Sequence, residues 1–406
     1  MVAAVGYEWG AEAGFGGLLG QTQPEPAKLP GDFIDFTAGP SYTLYVNVDG
    51  NAYASGYVEA VSAYQGQFGV GNDFTQGSNN NRPVNVVVRN GVLGVAPPFQ
   101  HVHAGRDHSA FVDENGQVYT TGSNSDGKLC LGENNGGMKK VPHLVKLPFN
   151  RAAVSVALGL EFTLILLDNG QVYGCGSNRL GQIGLGNTPS VSKPTLTGKS
   201  LGRIKDISAG GEFSLYQTES GRSYSSGSNL YKQQCRDTGG KPVKTPTEII
   251  NKQEFSVLGI QAGSVSSYLL LTDGNSRPGI ASCGRNNEGQ LCGDVVDGRG
   301  QVKLDDDDSI TATGFGSGPT AQTVFFIGVN ASDGSDVVYG CGQNNFDQVG
   351  IGSNQPPRIS TPERLNFEIN RFRMKISASS SHTVATALPS AKGPTGSPTR
   401  QPTAGE

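Results

Sequence analysis

Charge is scarce in this chain. Asp, Glu, Lys and Arg make up 16% of its 406 residues, with a formal net charge of −4. No basic excess marks a face for a polyanion, so a nucleic-acid partner is not expected. No run of 18 apolar residues occurs, so no transmembrane helix and no membrane insertion are expected. There is one tryptophan, Trp9, and the chain has no Cys-x-x-Cys pair with which to begin a zinc site. Also missing are a His-Glu-x-x-His helix and a Gly-x-Ser-x-Gly in the strand-to-helix setting of a nucleophile elbow. Gly198-Lys199-Ser200 matches the end of a phosphate-binding loop, but Lys193 stands where its first glycine is needed. The sequence therefore nominates no catalytic residue, metal ligand or cofactor. The first residues, Met1 to Gly14, lack the basic segment and apolar core of a secretory signal, which leaves an intracellular setting (cytoplasmic, organellar or nuclear) as the expectation.

Glycine and proline are plentiful, at 59 and 22 residues, and apolar residues fall in short regular runs. Many short strands joined by glycine-rich turns account for both. Residues Val156 to Asn187 show the unit. Phe162 to Leu167 is a β-prone run, Asp168-Asn169-Gly170 a tight turn of the type I′ kind, and Gln171 to Cys175 a returning strand. An exit follows with Gly176, Asn178, Gly181 and Gly184.

This unit recurs along the chain. An Ala-Gly-like step falls at Gly39, Gly105, Gly159, Gly210 and Gly263, less cleanly at Gly318, and without glycine at Ser379. Turn glycines follow at Gly50, Gly116, Gly170, Gly221, Gly274 and Gly334; the first five lie 11 residues after their step. Exit glycines fall at Gly10, Gly56, Gly122, Gly176, Gly227, Gly284 and Gly342. Two residues beyond five of them stands asparagine, at Asn124, Asn178, Asn229, Asn286 and Asn344, a side chain suited to holding an irregular turn by bonding nearby backbone. Seven exits but six hairpin turns leave one exit unmatched at the N-terminus and one entry unmatched at the C-terminus, Ile376 to Thr383. The expected fold is all-β, a seven-bladed β-propeller closed by pairing of N- and C-terminal strands in one blade. Residues 1–388 form it, with 1–28 and 372–388 sharing the closing blade and 389–406 a disordered tail poor in apolar residues.

Ala104-Gly105-Arg106-Asp107-His108-Ser109 and the run Gly176 to Gly186 carry a resemblance to the regulator of chromosome condensation family. That resemblance implies a seven-bladed propeller and covers roughly residues 1–388. The family's founding member is a guanine-nucleotide exchange factor for the small GTPase Ran, so exchange is an implied alternative function. Trp-Asp-type propellers fit less well, since their signature dipeptide is absent. The plant ultraviolet-B photoreceptor resembles this pattern too, but needs a tryptophan cluster that is not here.

The six cysteines are expected to be mostly reduced core residues. Cys175, Cys283 and Cys341 occupy one repeat position, Cys130 and Cys292 another, and equivalent positions in a radial array lie far apart. His101 and His103 would share a strand face near His108, yet no third ligand at metal spacing accompanies them.

Function is sought where copies depart from the pattern, because loops on a rigid scaffold carry it. One insertion, Tyr57 to Tyr64, follows Gly56. Another follows Gly293 and holds Asp294, Asp297 and Asp305, Asp306, Asp307 and Asp308, which could meet a basic partner. One exit reads Lys232-Gln233-Gln234-Cys235 and has lost its glycines. The leading expectation is a non-catalytic scaffold docking a protein partner through its loops, within a larger assembly. The alternative is an exchange factor for a small GTPase.

Overall fold

The structure, a computed structural model, describes residues 2–7, 22–29, 33–57, 66–71, 79–85, 98–133, 137–249, 255–273, 278–304, 309–351, 355–365, 373–380 and 382–388. It is an all-β propeller; among the described residues the only helical pieces are two 3-10 turns, Ser125–Gly127 and Pro148–Asn150. Among the described residues the strands form seven antiparallel sheets, six of four strands and one of five. Five of the sheets are built in chain order from one repeat each, such as Ala153–Leu158, Phe162–Leu167, Val172–Ser177 and Ser190–Thr197. A further sheet joins the two ends of the chain: Val2–Tyr7 pairs antiparallel with His382–Leu388, Gly6 opposite His382 and Val2 opposite Thr386. The expected tail beyond Leu388, and Trp9 and Gly10, lie outside the described residues.

Position within a sheet dictates composition. The second strands His108–Asp113, Phe162–Leu167 and Phe213–Thr218 are buried along their whole length, so their polar members, such as Ser109, Thr163 and Ser214, must find partners in the interior. The outermost strands Asn79–Asn85, Lys139–Leu144, Ser190–Thr197, Val243–Glu248 and Arg358–Arg364 each carry a central proline: Pro83, Pro142, Pro194, Pro246 and Pro362. Proline offers no N–H to a further strand, so these edges resist pairing with another molecule. The innermost strands carry a bulge near their start, between Phe33 and Asp35, Phe99 and His101, Ala153 and Ser155, Ile204 and Asp206, Val257 and Gly259, and Ala312 and Gly314. Each bulge bends the strand and adds twist where the sheets crowd together.

The hairpin turns differ from the expected type I′ form. Gly170 N–H donates to the Leu167 carbonyl at 2.9 Å and Leu167 N–H to the Gln171 carbonyl at 2.9 Å, and glycine alone in this loop has positive φ. Gly50, Gly116 and Gly221 repeat the arrangement. These are three-residue loops with glycine in the bulge; Asp168 and Asn169 keep ordinary dihedrals, so only one left-handed residue is needed. Gly274 lies outside the described residues.

Adjacent sheets are latched through the exit loops. Ser109 Oγ donates to the Gln67 carbonyl at 2.7 Å, Thr163 Oγ1 to the Lys128 carbonyl at 2.8 Å, and Ser214 and Ser267 likewise to Gln182 and Gln233. Inside each exit loop the repeat asparagine acts as the sequence suggests: Asn124, Asn178, Asn229, Asn286 and Asn344 each accept, on Oδ1, the backbone N–H five residues on, at 2.9–3.0 Å. The exit Lys232 to Cys235 keeps this loop without glycine, with φ of 61° and 55° where Gly181 and Gly184 have 85° and 82°.

The cysteine expectation is overturned. All six are paired, as Cys130–Cys175, Cys235–Cys283 and Cys292–Cys341, with Cα atoms 5.4, 5.1 and 5.8 Å apart. Equivalent positions are indeed remote from one another, but each bridge joins two different positions. The exit loop of one sheet lies on the third strand of the next, so residues 45 to 49 apart in sequence meet.

Candidate functional site

Antiparallel order sends two loops of each sheet, between first and second strands and between third and fourth, to one face. Steps such as Gly105–Asp107 and Gly159–Glu161 share that face with the exit loops. Tight turns and connections between sheets occupy the other.

On the loop face an ionic cluster spans two sheets. Lys128 is fully buried, its Nζ 2.6 Å from Asp107 Oδ1 and 2.7 Å from Glu161 Oε2. Arg106 also pairs with Glu161, and Ser125 Oγ donates to Glu161 Oε2 at 2.7 Å. Burial pushes the Lys128 ammonium down, with Asp107 opposing it. Burial would raise the Asp107 carboxyl, but His108 and Lys128 beside it hold it well below the usual carboxylate range. Two cations face two anions, so the cluster is internally neutralised and fixes the loops against each other. Its signal was present in the sequence: Lys128 stands where the other exits have Gln67, Gln182, Gln233, Gln290 and Gln348.

The same face carries exposed apolar side chains at one sheet junction. Leu230 and Tyr231, in the exit loop after Ser223–Gly227, are 64% and 39% exposed. In the next sheet the usual outer strand is replaced by a small hairpin, Val295–Val296 with Arg299–Val302, and Val296 at its tip is 78% exposed. The hairpin is moored to the neighbouring loop, since Lys232 pairs with Asp297 and also with Asp237 at 3.2 Å. The Arg285 guanidinium lies over the Tyr231 ring, 5.4 Å from its centroid.

Of the residues nominated from sequence, Asp294 is exposed beside this hairpin, whereas Asp297 is engaged by Lys232. Tyr57 ends the strand Ala52–Tyr57, with its backbone paired to Asn79. Tyr64 and Asp305 to Asp308 lie outside the described residues. Leu230, Tyr231 and Val296 were not nominated; exposure of single apolar residues has no sequence signature.

The innermost strands of all seven sheets line an axial cavity of about 300 Å³, reached by Thr37, His103, Ser208, Gln261, Lys375 and Ser377 among others. Several of these groups stitch one strand to the next: Ser377 Oγ accepts the Ala38 N–H at 3.0 Å, and Ser208 Oγ the Ala262 N–H at 2.9 Å. Buried Asp35 accepts the Val102 N–H at 3.0 Å, lies 3.3 Å from His101 Nδ1 and pairs with Lys375. Burial would raise its carboxyl, but Lys375 and His101 hold it well below the usual range. Burial lowers His103 to about 3, so its imidazole is neutral at pH 7. His108 and His382, equivalent in the repeat, do equivalent work on their neighbours: His108 Nε2 meets Thr163 Oγ1 at 3.2 Å and His382 Nε2 meets Thr43 Oγ1 at 2.8 Å.

The repeat asparagines, exit glycines and inter-sheet latches define a sequence unit, and the family model for the Regulator of chromosome condensation (RCC1) repeat matches it at residues 115–166, 169–216 and 335–386. A second model of that repeat matches residues 99–128 and 153–182. The chain carries RCC1 repeats over these residues. Among curated proteins, the secretion-regulating guanine nucleotide exchange factor of Bos taurus is 30% identical over 200 residues, which are 48% of this chain and 42% of that protein. The chain spans less than half the length of the first curated relatives it matches. Among solved structures, human WBSCR16 superposes with a TM-score of 0.75 at 19% identity, covering 95% of this chain and 98% of the other. Prp20p of Saccharomyces cerevisiae gives 0.73 at 18% identity, covering 95% and 91%. Both likenesses are of fold. In this RCC1-repeat chain the departures from the unit, Lys128, the six cysteines and the hairpin at Val295–Val302, are its individual features.

Proposed function

We propose that this RCC1-repeat propeller acts by binding a protein partner on its loop face, without covalent chemistry of its own. The observation that carries the reading is the exposed set formed by Leu230 and Tyr231 in one exit loop and Val296 on the neighbouring hairpin, which replaces an ordinary outer strand and has Asp294 beside it. Apolar side chains held out on a rigid mount supply the desolvated centre of an interface, and charged neighbours its rim. Asp305 to Asp308, with Tyr57 and Tyr64, extend the proposed contact set, the aspartates toward a basic surface. We also propose that the ring is seven-bladed and closed by the Val2–Tyr7 and His382–Leu388 pairing, a reading supported by the innermost strand Arg373–Ala378 packing between Ile310–Gly316 and Phe33–Gly39.

Affinity capture with the wild-type chain and with a Leu230→Ser/Val296→Ser variant tests the reading. Partners retained by the wild type and lost by the variant support it; identical partner sets at equal yield remove this surface. A second reading, a guanine-nucleotide exchange factor for a small GTPase, is favoured by the similarity over 200 residues to a protein of that name. An exchange factor works by preferring the nucleotide-free GTPase, so it needs no nucleotide site of its own. Accelerated release of labelled GDP from a small GTPase at substoichiometric amounts of this protein would replace the pure scaffold reading with this one.

A further inference from the structure

The cysteines are distributed by a rule. At five successive sheet junctions, the fourth residue of the exit motif in one sheet faces the residue before the exit glycine in the next. In chain order these position pairs are Gly69 with Thr121, Cys130 with Cys175, Gly184 with Ser226, Cys235 with Cys283, and Cys292 with Cys341. Wherever the first member is cysteine, so is the second. At the two of these junctions where it is glycine, Gly69 and Gly184, the second is a hydroxyl residue, Thr121 and Ser226. No cysteine of the chain is left over.

Backbone conformation makes the rule sharper. The first position is left-handed throughout: Gly69, Gly184 and Gly350 have φ of 74°, 82° and 75°, and Cys130, Cys235 and Cys292 have 61°, 55° and 60°. That region favours glycine and disfavours any side chain. Substitution by a merely small apolar residue has no compensation there, and would not be matched 45 to 49 residues away three times over. A covalent partner supplies the compensation. Where the rule gives glycine, space is short as well: a Cβ on Gly184 would come within 2.8 Å of Pro246.

We infer that the three disulfides are permanent staples between neighbouring blades, and that the protein is folded and kept in an oxidising compartment. Disulfides persist in such compartments and are rare where thiol reductants dominate. Each bridge forms by exchange with a disulfide oxidant: one cysteine thiolate attacks it, and the partner thiolate then resolves the mixed disulfide. The two cysteines lose two electrons and two protons, and the oxidant is released as its dithiol. This placement departs from the intracellular expectation to the extent that the cytosol and nucleus are reducing. Five of the sulfur-bearing residues are buried at 3% exposure or less; Cys235 is only partly buried, so the Cys235–Cys283 staple is the one a reductant reaches first.

The test is thiol trapping on the protein from its natural source, denatured in excess alkylating agent without reductant, digested and mapped by mass spectrometry. The expected result is no alkylated cysteine and three linked peptides, joining 130 to 175, 235 to 283 and 292 to 341. Six alkylated cysteines would overturn the inference, and so would any other pairing. Independently, the melting temperature of the purified oxidised chain should fall when reductant is added, and a Cys235→Ser/Cys283→Ser variant should start lower and lose less. A melting curve indifferent to reductant, with the bridges shown to be reduced, would sink the staple role.

Discussion

Two kinds of junction hold this ring. From Cys130 round to Cys341, three junctions are bridged covalently. On the side where the two ends of the chain share a sheet, the hold is polar: His382 with Thr43, Ser377 with the Ala38 backbone, and Lys375 with buried Asp35. A disulfide acts chiefly on the unfolded chain, by restricting it. A buried ion pair acts on the folded state, where each charge depends on the other's presence. The ring is thus protected against opening by different physics on its two sides, and losses should differ in size and in their response to pH and to reductant.

The largest effect is expected from breaking the polar side. Lys375→Met leaves Asp35 buried without its cation and should cost about 3–5 kcal/mol, measurable as a lowered denaturation midpoint; adding Asp35→Asn should recover part of that loss. If the single variant melts like the wild type, the ion pair is not what secures this side. On the stapled side, Cys292→Ser/Cys341→Ser should cost roughly 2–4 kcal/mol, seen in thermal melts under oxidising conditions and absent when both proteins are reduced.

Acid should separate the two sides further. Asp35 and Asp107 are held below the ordinary carboxylate range in the fold. Their contribution is therefore fully present above the unfolded value near 4 and is lost as pH falls below it toward the folded value. The Lys375→Met penalty should shrink accordingly in melts below pH 4, while the disulfide penalty should not. The smallest effect concerns Asp206, which burial raises to about 6 and which bonds only its neighbour's N–H, at Ile207. Here the sign reverses: between about pH 4 and 6 the folded state holds the proton that the unfolded state releases, so stability falls as pH rises through that window. Asp206→Asn should stabilise by about 1–2 kcal/mol at pH 7–8 and by nearly nothing at pH 4, as a pair of melts would show.

Much of the ring is legible in the sequence alone. The asparagines two residues past each exit glycine have the local role their position suggests, because an Asx side chain bonding nearby backbone is a short-range event. The equivalence of His108 and His382 was likewise visible in the repeat. What stayed hidden depends on neighbours in the next sheet. Cys130 and Cys175 belong to different repeat positions, so aligning copies on themselves separates partners that touch. The turn conformation is not legible there because Asn169-Gly170 fits two loop types, and the choice rests on how the strands close. Strand bulges leave the spacing from Ala-Gly step to turn glycine unchanged and so escape counting. Leu230 and Val296 were missed since exposure is a property of the assembled face.

The latches between sheets use side-chain hydroxyls as donors but main-chain carbonyls as acceptors, at Gln67, Lys128, Gln182 and Gln233. A main-chain acceptor is indifferent to the side chain its residue carries. The exit loops can therefore change their chemistry, from glutamine to lysine as at residue 128, while the joint beneath stays closed. Each loop is in effect an interchangeable fitting on a fixed hinge pin: the four side chains are themselves buried, so exchanging one changes how its own loop is held and leaves the joint in place.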